Sequence, residues 1–275
     1  MLSSTVFEDA SIVPVRILLI SDVHSNLEAL DASLAAAPAY DRVVNLGDIV
    51  GYGASPNEVT ERSRALGSLL VRGNHDKACT GLSDLEYFNP VAALAAIWTQ
   101  QTLSPENLEW LKAMPAGPIP LTEAQNGKGG GESPASVYCV HGSPLDEDEY
   151  IITVRDAVEV MMRSSVKLIF FGHTHLQGGF LLGAEGGRAI RPEYASKDKA
   201  ETVELPLDRE TKYLINPGSI GQPRDGDWRA AFAVFDTDQY VVTYHRAPYN
   251  VAGAQKRILD ANLPERLATR LKDGR

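Results

Sequence analysis

The stretch Arg16-Ile-Leu-Leu-Ile20-Ser-Asp22-Val-His24-Ser-Asn26 sets how the rest of the chain is read. A short apolar run gives way to a polar turn and then to a helical stretch over 27–37, closed by Pro38. The same sequence of events follows twice more. Residues 41–46 form a second apolar run ending in Gly47-Asp48, and Ser55-Pro56 then reads as a helix N-cap with proline at the first helical position, the helix running to about 66. Residues 68–72 form a third run, ending in Gly73-Asn74-His75-Asp76. Strand, turn and helix at this interval predict βαβ units with parallel strands, an α/β fold.

Working outward, residues 1–15 read as a loose lead-in and 89–114 as two helices, the second opened by Ser104-Pro105. The glycine-rich 126–132 reads as a flexible turn; it lacks the first glycine and the Ser/Thr of a phosphate-binding P-loop. A strand over 136–140 leads to His141, a helix covers 157–162, and a strand over 166–171 leads to Gly172-His173-Thr174-His175. Beyond it, 179–182, 213–215, 230–235 and 239–245 alternate like antiparallel strands. The polar 183–204 segment is expected to be an extended hairpin or mobile loop, and 263–272 a short amphipathic helix. No repeat or linker divides the chain. We expect one domain over 1–275, with a core at about 16–247 and a short C-terminal helical tail at 248–275.

The 275 residues carry 26 Lys and Arg against 36 Asp and Glu, a net charge of −10. That balance argues against broad nucleic-acid binding and against docking on anionic membranes, but leaves a local positive site open. The two cysteines, Cys79 and Cys139, are too few for a disulfide framework or thiolate cluster. Pro14 and Arg16 break the only apolar stretch near the N-terminus, and no run approaches the ~20 residues of a membrane span. A cytoplasmic, reducing location is the expectation.

Five of the six histidines fall at predicted strand ends beside Asp, Asn or Gly. Asp22 and His24 come first, Asp48 follows after 26 residues, and Asn74-His75 after another 26. His141 and the pair His173, His175 follow the next two strands. Ligands of open α/β sheets bind beyond the carboxyl ends of the strands, so these groups can converge. Residues i and i+2 of an extended segment face one side, which suits Asp22/His24 and His173/His175 as paired ligands. Any one of them alone reads as a cap or turn residue. Two carboxylates, an amide and four imidazoles at successive strand ends do not.

Taken together, these motifs resemble, in order and spacing, those of the calcineurin-like metallophosphoesterase family. Residues 216–224 (NPGSIGQPR) resemble a further stretch of its bacterial branch, the small phosphodiesterases and diadenosine-tetraphosphatase-like proteins. The resemblance implies a four-layer α/β/β/α sandwich of the metallo-dependent phosphatase type with two divalent or trivalent metal ions. It implies Asp22, His24, Asp48 and His175 around one ion and Asp48, Asn74, His141 and His173 around the other, Asp48 bridging. Oxygen and imidazole ligands suit Mn, Fe, Zn, Co or Ni. The implied activity is hydrolysis of a phosphate ester by water activated between the ions, with His75 protonating the leaving group or binding a non-bridging oxygen and Asp76 orienting its ring.

A small-molecule phosphodiesterase or dinucleoside-polyphosphate hydrolase heads the candidates. A serine/threonine phosphoprotein phosphatase and an inactive protein-binding scaffold are the alternatives. Arg224, Asn26 and Tyr52 are candidate substrate contacts. The acidic run 146–149 reads as a solvated loop, Trp98 and Trp110 as core or cover, and His245 has no assigned role. No G-x-S-x-G elbow supports a serine hydrolase.

Overall fold

Each N-terminal apolar run forms a strand: β1 (Arg16–Ile20), β2 (Arg42–Asn45) and β3 (Leu69–Leu70). The computed structural model describes residues 15–86, 88–121 and 137–275; the lead-in at 1–14 and the turn at 126–132 lie outside the described residues. Helices α1 (Leu27–Ala36) and α2 (Pro56–Ala65) connect these strands in parallel. Then come α3 (Asn74–Thr80), α4 (Pro90–Thr102) and α5 (Pro105–Lys112). Asn26, Asn89 and Ser104 cap α1, α4 and α5 with their side-chain oxygens, satisfying N–H groups that a helix start leaves unpaired.

The second half supplies β4 (Ile119–Pro120), β5 (Val137–Cys139), α6 (Val154–Arg163), β6 (Leu168–Phe170), β7 (Gly178–Gly183) and β8 (Gly186–Ile190). It continues with β9 (Glu201–Pro206), β10 (Lys212–Asn216), β11 (Ala230–Asp236) and β12 (Val241–Ala247). Two mixed six-stranded sheets result, ordered β3-β2-β1-β11-β12-β9 and β4-β5-β6-β10-β7-β8.

Strand periodicity explains the layers. In β1, Ile17 and Leu19 pack with Leu168, Phe170 and Ile215 of the other sheet, forming the core between the sheets. Leu18 and Ile20 point the opposite way, onto Leu30 of α1 and Val59 of α2. On the far side, Ile169 and Leu214 pack on Val160 and Met161 of α6. Helix, sheet, sheet, helix is the expected sandwich; each fully buried aliphatic side chain contributes roughly 1.5–3 kcal/mol.

The 183–204 segment departs from expectation. It holds two strands in different sheets: β8 pairs with β7, and β9 pairs with β12 at the edge of the other sheet. β9 reads as polar because an edge strand buries one face only. Glu201, Val203 and Leu205 are half-buried, while Thr202, Glu204 and Pro206 are exposed. The C-terminal tail holds α7 (Val251–Asp260), α8 (Glu265–Thr269) and a 3-10 turn (Arg270–Asp273). Ala254, Ile258, Leu267 and Leu271 bury it in the same core as Leu30.

Candidate metal centre

The strand ends carry unusual backbone. Among the described residues nine non-glycine positions have positive φ, and seven belong to this region: Asp22, His24, Ser25, Asp48, Tyr52, His173 and His175. Left-handed conformations of this kind cost on the order of 1–3 kcal/mol each and collect at functional sites. They correct the extended i, i+2 geometry: Asp22/His24 and His173/His175 lie past the ends of β1 and β6, and tight left-handed turns aim their side chains. Close approach is also needed. A Cβ on Gly73 would sit 2.0 Å from Asp48 Oδ1.

Ligand-type atoms converge in two groups that share Asp48. Asp22, His24, Asp48 and His175 each offer one atom within 4.8 Å of the others, and Asp48, His141 and His173 do the same. His24 Nε2 lies 3.1 Å from His175 Nε2, and His141 Nε2 lies 3.1 Å from His173 Nδ1. Asp22 Oδ1 is 3.3 Å from His175 Nε2, and Asp48 Oδ2 is 3.4 Å from His141 Nε2 and 3.6 Å from His24 Nε2. Atoms bound at about 2.1 Å to a common ion take up such spacings.

Backbone carbonyls fix every imidazole from behind. His24 Nδ1 donates to Val50 O, His141 Nδ1 to Leu46 O, His173 Nε2 to Asp148 O and His175 Nδ1 to Gln222 O, at 2.6–3.1 Å. Each ring therefore turns a lone pair inward, the arrangement that orients metal-binding histidines. The aspartates are held the same way. Asp22 Oδ2 accepts from His173 N and Asp48 Oδ1 from His75 N. Their other oxygens, Asp22 Oδ1 and Asp48 Oδ2, are buried without a hydrogen-bond donor, as is Oδ1 of Asn74, the first residue of α3. The orphaned Asp22 and Asp48 oxygens, converging with the inward nitrogens of four imidazoles in two groups, fit a pair of cations.

Electrostatics agrees. Burial holds His24 and His175 well below the ordinary histidine range and His173 down to about 3, so these rings are neutral. Burial pushes Asp22 up to about 7. His141 is the exception: the Asp48 carboxylate outweighs burial and raises it to about 10, a sign of how strongly this spot favours positive charge.

The structure sorts the remaining candidates. His75 lies in the site, its ring 4.3 Å from Tyr52 and 4.8 Å from His24. Burial drops it to about 4, so it is neutral at pH 7 and holds no proton to give as a cation. Asp76 does not orient that ring. Its carboxylate accepts from the N–H groups of Asp48, Ile49, Val50 and Gly73 at 2.8–3.2 Å, because neighbours in a helix point about 100° apart. Asn26 spends its side chain within the fold: its Oδ1 caps α1 by accepting from Ala29 N, and its Nδ2 donates to Gly221 O. Tyr52 and Arg224 border the site together, Arg224 Nη2 donating to Tyr52 Oη at 3.3 Å.

Residues 216–224 act as a splint between the two sheets. Asn216 Nδ2 donates to Gly172 O, and Ser219 Oγ to Asp22 O. The acidic run closes over the site, where Glu147 pairs with Arg72 and Lys77, and Asp148 with Lys77. Tyr150 stacks on His173 at 3.7 Å and is 47% exposed, which places it on the rim. Nothing in its sequence context signals this. His245 stacks on Phe232, apart from the site, and Trp98 and Trp110 pack on the helical core as expected.

Among the described residues no helix is long and apolar enough to cross a membrane. The calcineurin-like phosphoesterase superfamily domain matches residues 15–240. An uncharacterized protein of Methanocaldococcus jannaschii is 37% identical over 265 residues, covering 96% of this chain and 100% of that protein. The crystal structure of a metallophosphoesterase from Sphaerobacter thermophilus is 38% identical with a TM-score of 0.76, over 96% of this chain and 100% of that one. A hypothetical protein from Pyrococcus horikoshii OT3, 19% identical with a TM-score of 0.70 over 95% of this chain and 99% of its own, shares the fold. The chain thus belongs to the calcineurin-like phosphoesterase superfamily and is a phosphoester hydrolase.

Proposed function

We propose that the chain hydrolyses a small phosphate ester, a phosphodiester or dinucleoside polyphosphate, with two metal ions held by its strand-end ligands. The observation that carries this reading is the convergence of the orphaned Asp22 and Asp48 oxygens with the inward ring nitrogens of His24, His141, His173 and His175. Asp22, His24, Asp48 and His175 would hold one ion. Asp48, Asn74, His141 and His173 would hold the other, and Mn, Fe, Zn, Co or Ni suits such ligands. Bound there, two ions supply activation of water and positive charge for the phosphoryl oxygens.

The chain's own groups do the rest. Asp76 fixes the 48–50 backbone and with it the shared carboxylate. His75, as a neutral ring, hydrogen-bonds a phosphoryl oxygen and leaves the leaving group unprotonated. His75→Ala should then slow aryl esters of good and poor leaving groups to the same degree; a loss that steepens with leaving-group pKa would restore the acid role. The rim favours small esters over a phosphoprotein, since the exposed Tyr150 against His173 offers an aromatic wall to a flat group. We further take residues 1–275 as one domain and the cytoplasm as its compartment.

Metal analysis joined to a substrate screen tests the reading. We expect about two transition-metal ions per chain. We also expect turnover of an aryl phosphodiester and a dinucleoside polyphosphate above that of a phosphopeptide. Preference for the phosphopeptide would move the reading to a protein phosphatase, and no turnover with any of the five metals would leave a binding scaffold.

A further inference from the structure

A second space opens in the molecule beside the metal centre. It is a cavity of about 430 Å³ between the β7–β8 hairpin, residues 190–197 and the polar cluster around Gln177. Small-molecule sites typically enclose about 300–1,000 Å³. None of the seven candidate metal ligands lines this cavity, and neither do His75, Tyr52, Arg224 or Tyr150. Thr174, the turn residue between His173 and His175, does line it. The two spaces are therefore neighbours that share no bordering side chain.

The apolar part of the wall is aromatic and partly uncovered. Phe171 and Phe180 line the cavity as buried side chains, and Tyr194 adds a third ring. Ile152 and Leu176, also in the wall, are 56% and 37% exposed. Single exposed apolar residues are ordinary, but two on the wall of one cavity make a surface that a ligand can cover. The volume stays open at Ala189, which pairs with Phe180 across the hairpin and brings only a methyl group.

The polar part of the wall divides into groups already spent and groups still free. Gln177 donates to the carbonyls of Pro217, Phe232 and His245 and accepts from Tyr194 and Arg246. Both carboxylates in the wall are matched, Asp225 with Arg246 and Asp227 with Arg229. Two cations in the wall have no such match among the described residues. Arg191 meets no acceptor, and Lys197 Nζ donates only to Gly226 O. Thr174 Oγ1 accepts from Leu176 N and Asn216 Nδ2 and gives its own proton to no described group. An occupant thus meets aromatic surface, a free hydroxyl proton and two unmatched positive charges, which together select a flat apolar body bearing an anionic group.

We infer that this cavity is a second ligand site, which takes a small aromatic acid other than the ester cleaved at the metal centre. The aromatic body packs on Phe171, Phe180 and Tyr194, and the anionic group meets Arg191 and Lys197. The site stands independently of the metal-dependent reading above.

Fluorescence titration of the full-length chain with anilinonaphthalene sulfonate, and with its uncharged analogue phenylnaphthylamine, tests the inference. The parent should bind both. Ala189→Trp fills the cavity and should weaken both probes about 10-fold or more. Arg191→Gln should weaken the sulfonate about 5-fold and leave the uncharged probe at parent affinity. Arg188→Gln, on the same strand but paired with Glu185 and outside the wall, should match the parent for both. No binding by the parent, or undiminished binding by Ala189→Trp, overturns the site. Equal effects of Arg191→Gln on the two probes overturn the assignment to an acid. A dinucleoside tetraphosphate, added to the metal-loaded parent at a concentration that saturates hydrolysis, should leave the sulfonate bound; displacement would merge the cavity with the substrate site and overturn the separate ligand. If the sulfonate binds as expected to a chain that hydrolyses nothing, the site stands and the enzymatic reading fails. Arg191→Gln changes an exposed side chain without filling the cavity, so a folding defect in Ala189→Trp leaves it to decide.

Discussion

The chain buries two polar clusters a few residues apart, and they are finished differently. In the first, around Gln177, the donors are spent. Gln177 Nε2 donates to the carbonyls of Pro217, Phe232 and His245, and its Oε1 accepts from Tyr194 Oη and Arg246 Nε. Arg229, fully buried, grips both oxygens of Asp227 and reaches Glu201 and Lys199 O. In the second, the metal centre, Asp22, Asp48 and Asn74 each keep a buried oxygen without a donor. A satisfied cluster rigidifies a core; an unsatisfied one stores free energy that a ligand can release. The difference separates architecture from chemistry without reference to any relative.

Substitutions that cross the two clusters test that distinction. Asp48→Asn should lower kcat/KM on an aryl phosphodiester on the order of 10³-fold, beyond the 10–100-fold typical of an outer-shell partner. It should also leave the urea-unfolding stability of the metal-stripped protein within about 1 kcal/mol, since His75 N keeps an acceptor. Arg229→Met should do the reverse. Stranding Asp227 and Glu201 costs about 3–5 kcal/mol, while activity per folded molecule stays at the parent level. A variant that lost both stability and activity at either position would erase the contrast.

Asp76→Asn lies between these cases. An amide has one acceptor oxygen for the N–H groups that a carboxylate shares between two, so the 48–50 backbone loosens, and kcat/KM should drop about 10–100-fold with the metal ligands untouched. The smallest effect is expected at His245. Burial holds its folded-state value at about 4, below that of an unfolded histidine. As pH falls through the window from about 6.5 to 4, the unfolded chain takes up a proton that the folded chain refuses, so stability is lost on acidification. Discounted for the ring's partial exposure, the loss is on the order of 1–2 kcal/mol, and His245→Gln should show a flatter pH profile by urea unfolding.

Most of the proposed centre was legible because its candidate ligands ride on strand ends, where motif and position coincide. The helix-and-sheet order was legible for the same reason: β1, β2 and β6 are continuous apolar runs that admit few readings. Three things were hidden by different physics. Asp76 adjoins His75 in sequence, but a helix parts such neighbours, so adjacency suggested a contact that does not exist. β8 and β9 carry too few apolar residues to signal edge strands, since one face of each meets solvent. Tyr150 reaches the rim only by tertiary approach, and no local pattern marks it.

Asp22, His24, Asp48 and Asn74 come from one sheet, and His141, His173 and His175 from the other. Each proposed ion would therefore be clamped by both halves of the sandwich, with the 216–224 splint beside it. The centre works as a rivet and as an alignment gauge. Sliding one sheet past the other by an ångström would pull His141 and His173 off Asp48 while barely disturbing the apolar layer between them. Catalytic competence should consequently report the registration of the two sheets more sensitively than any measure of the core does.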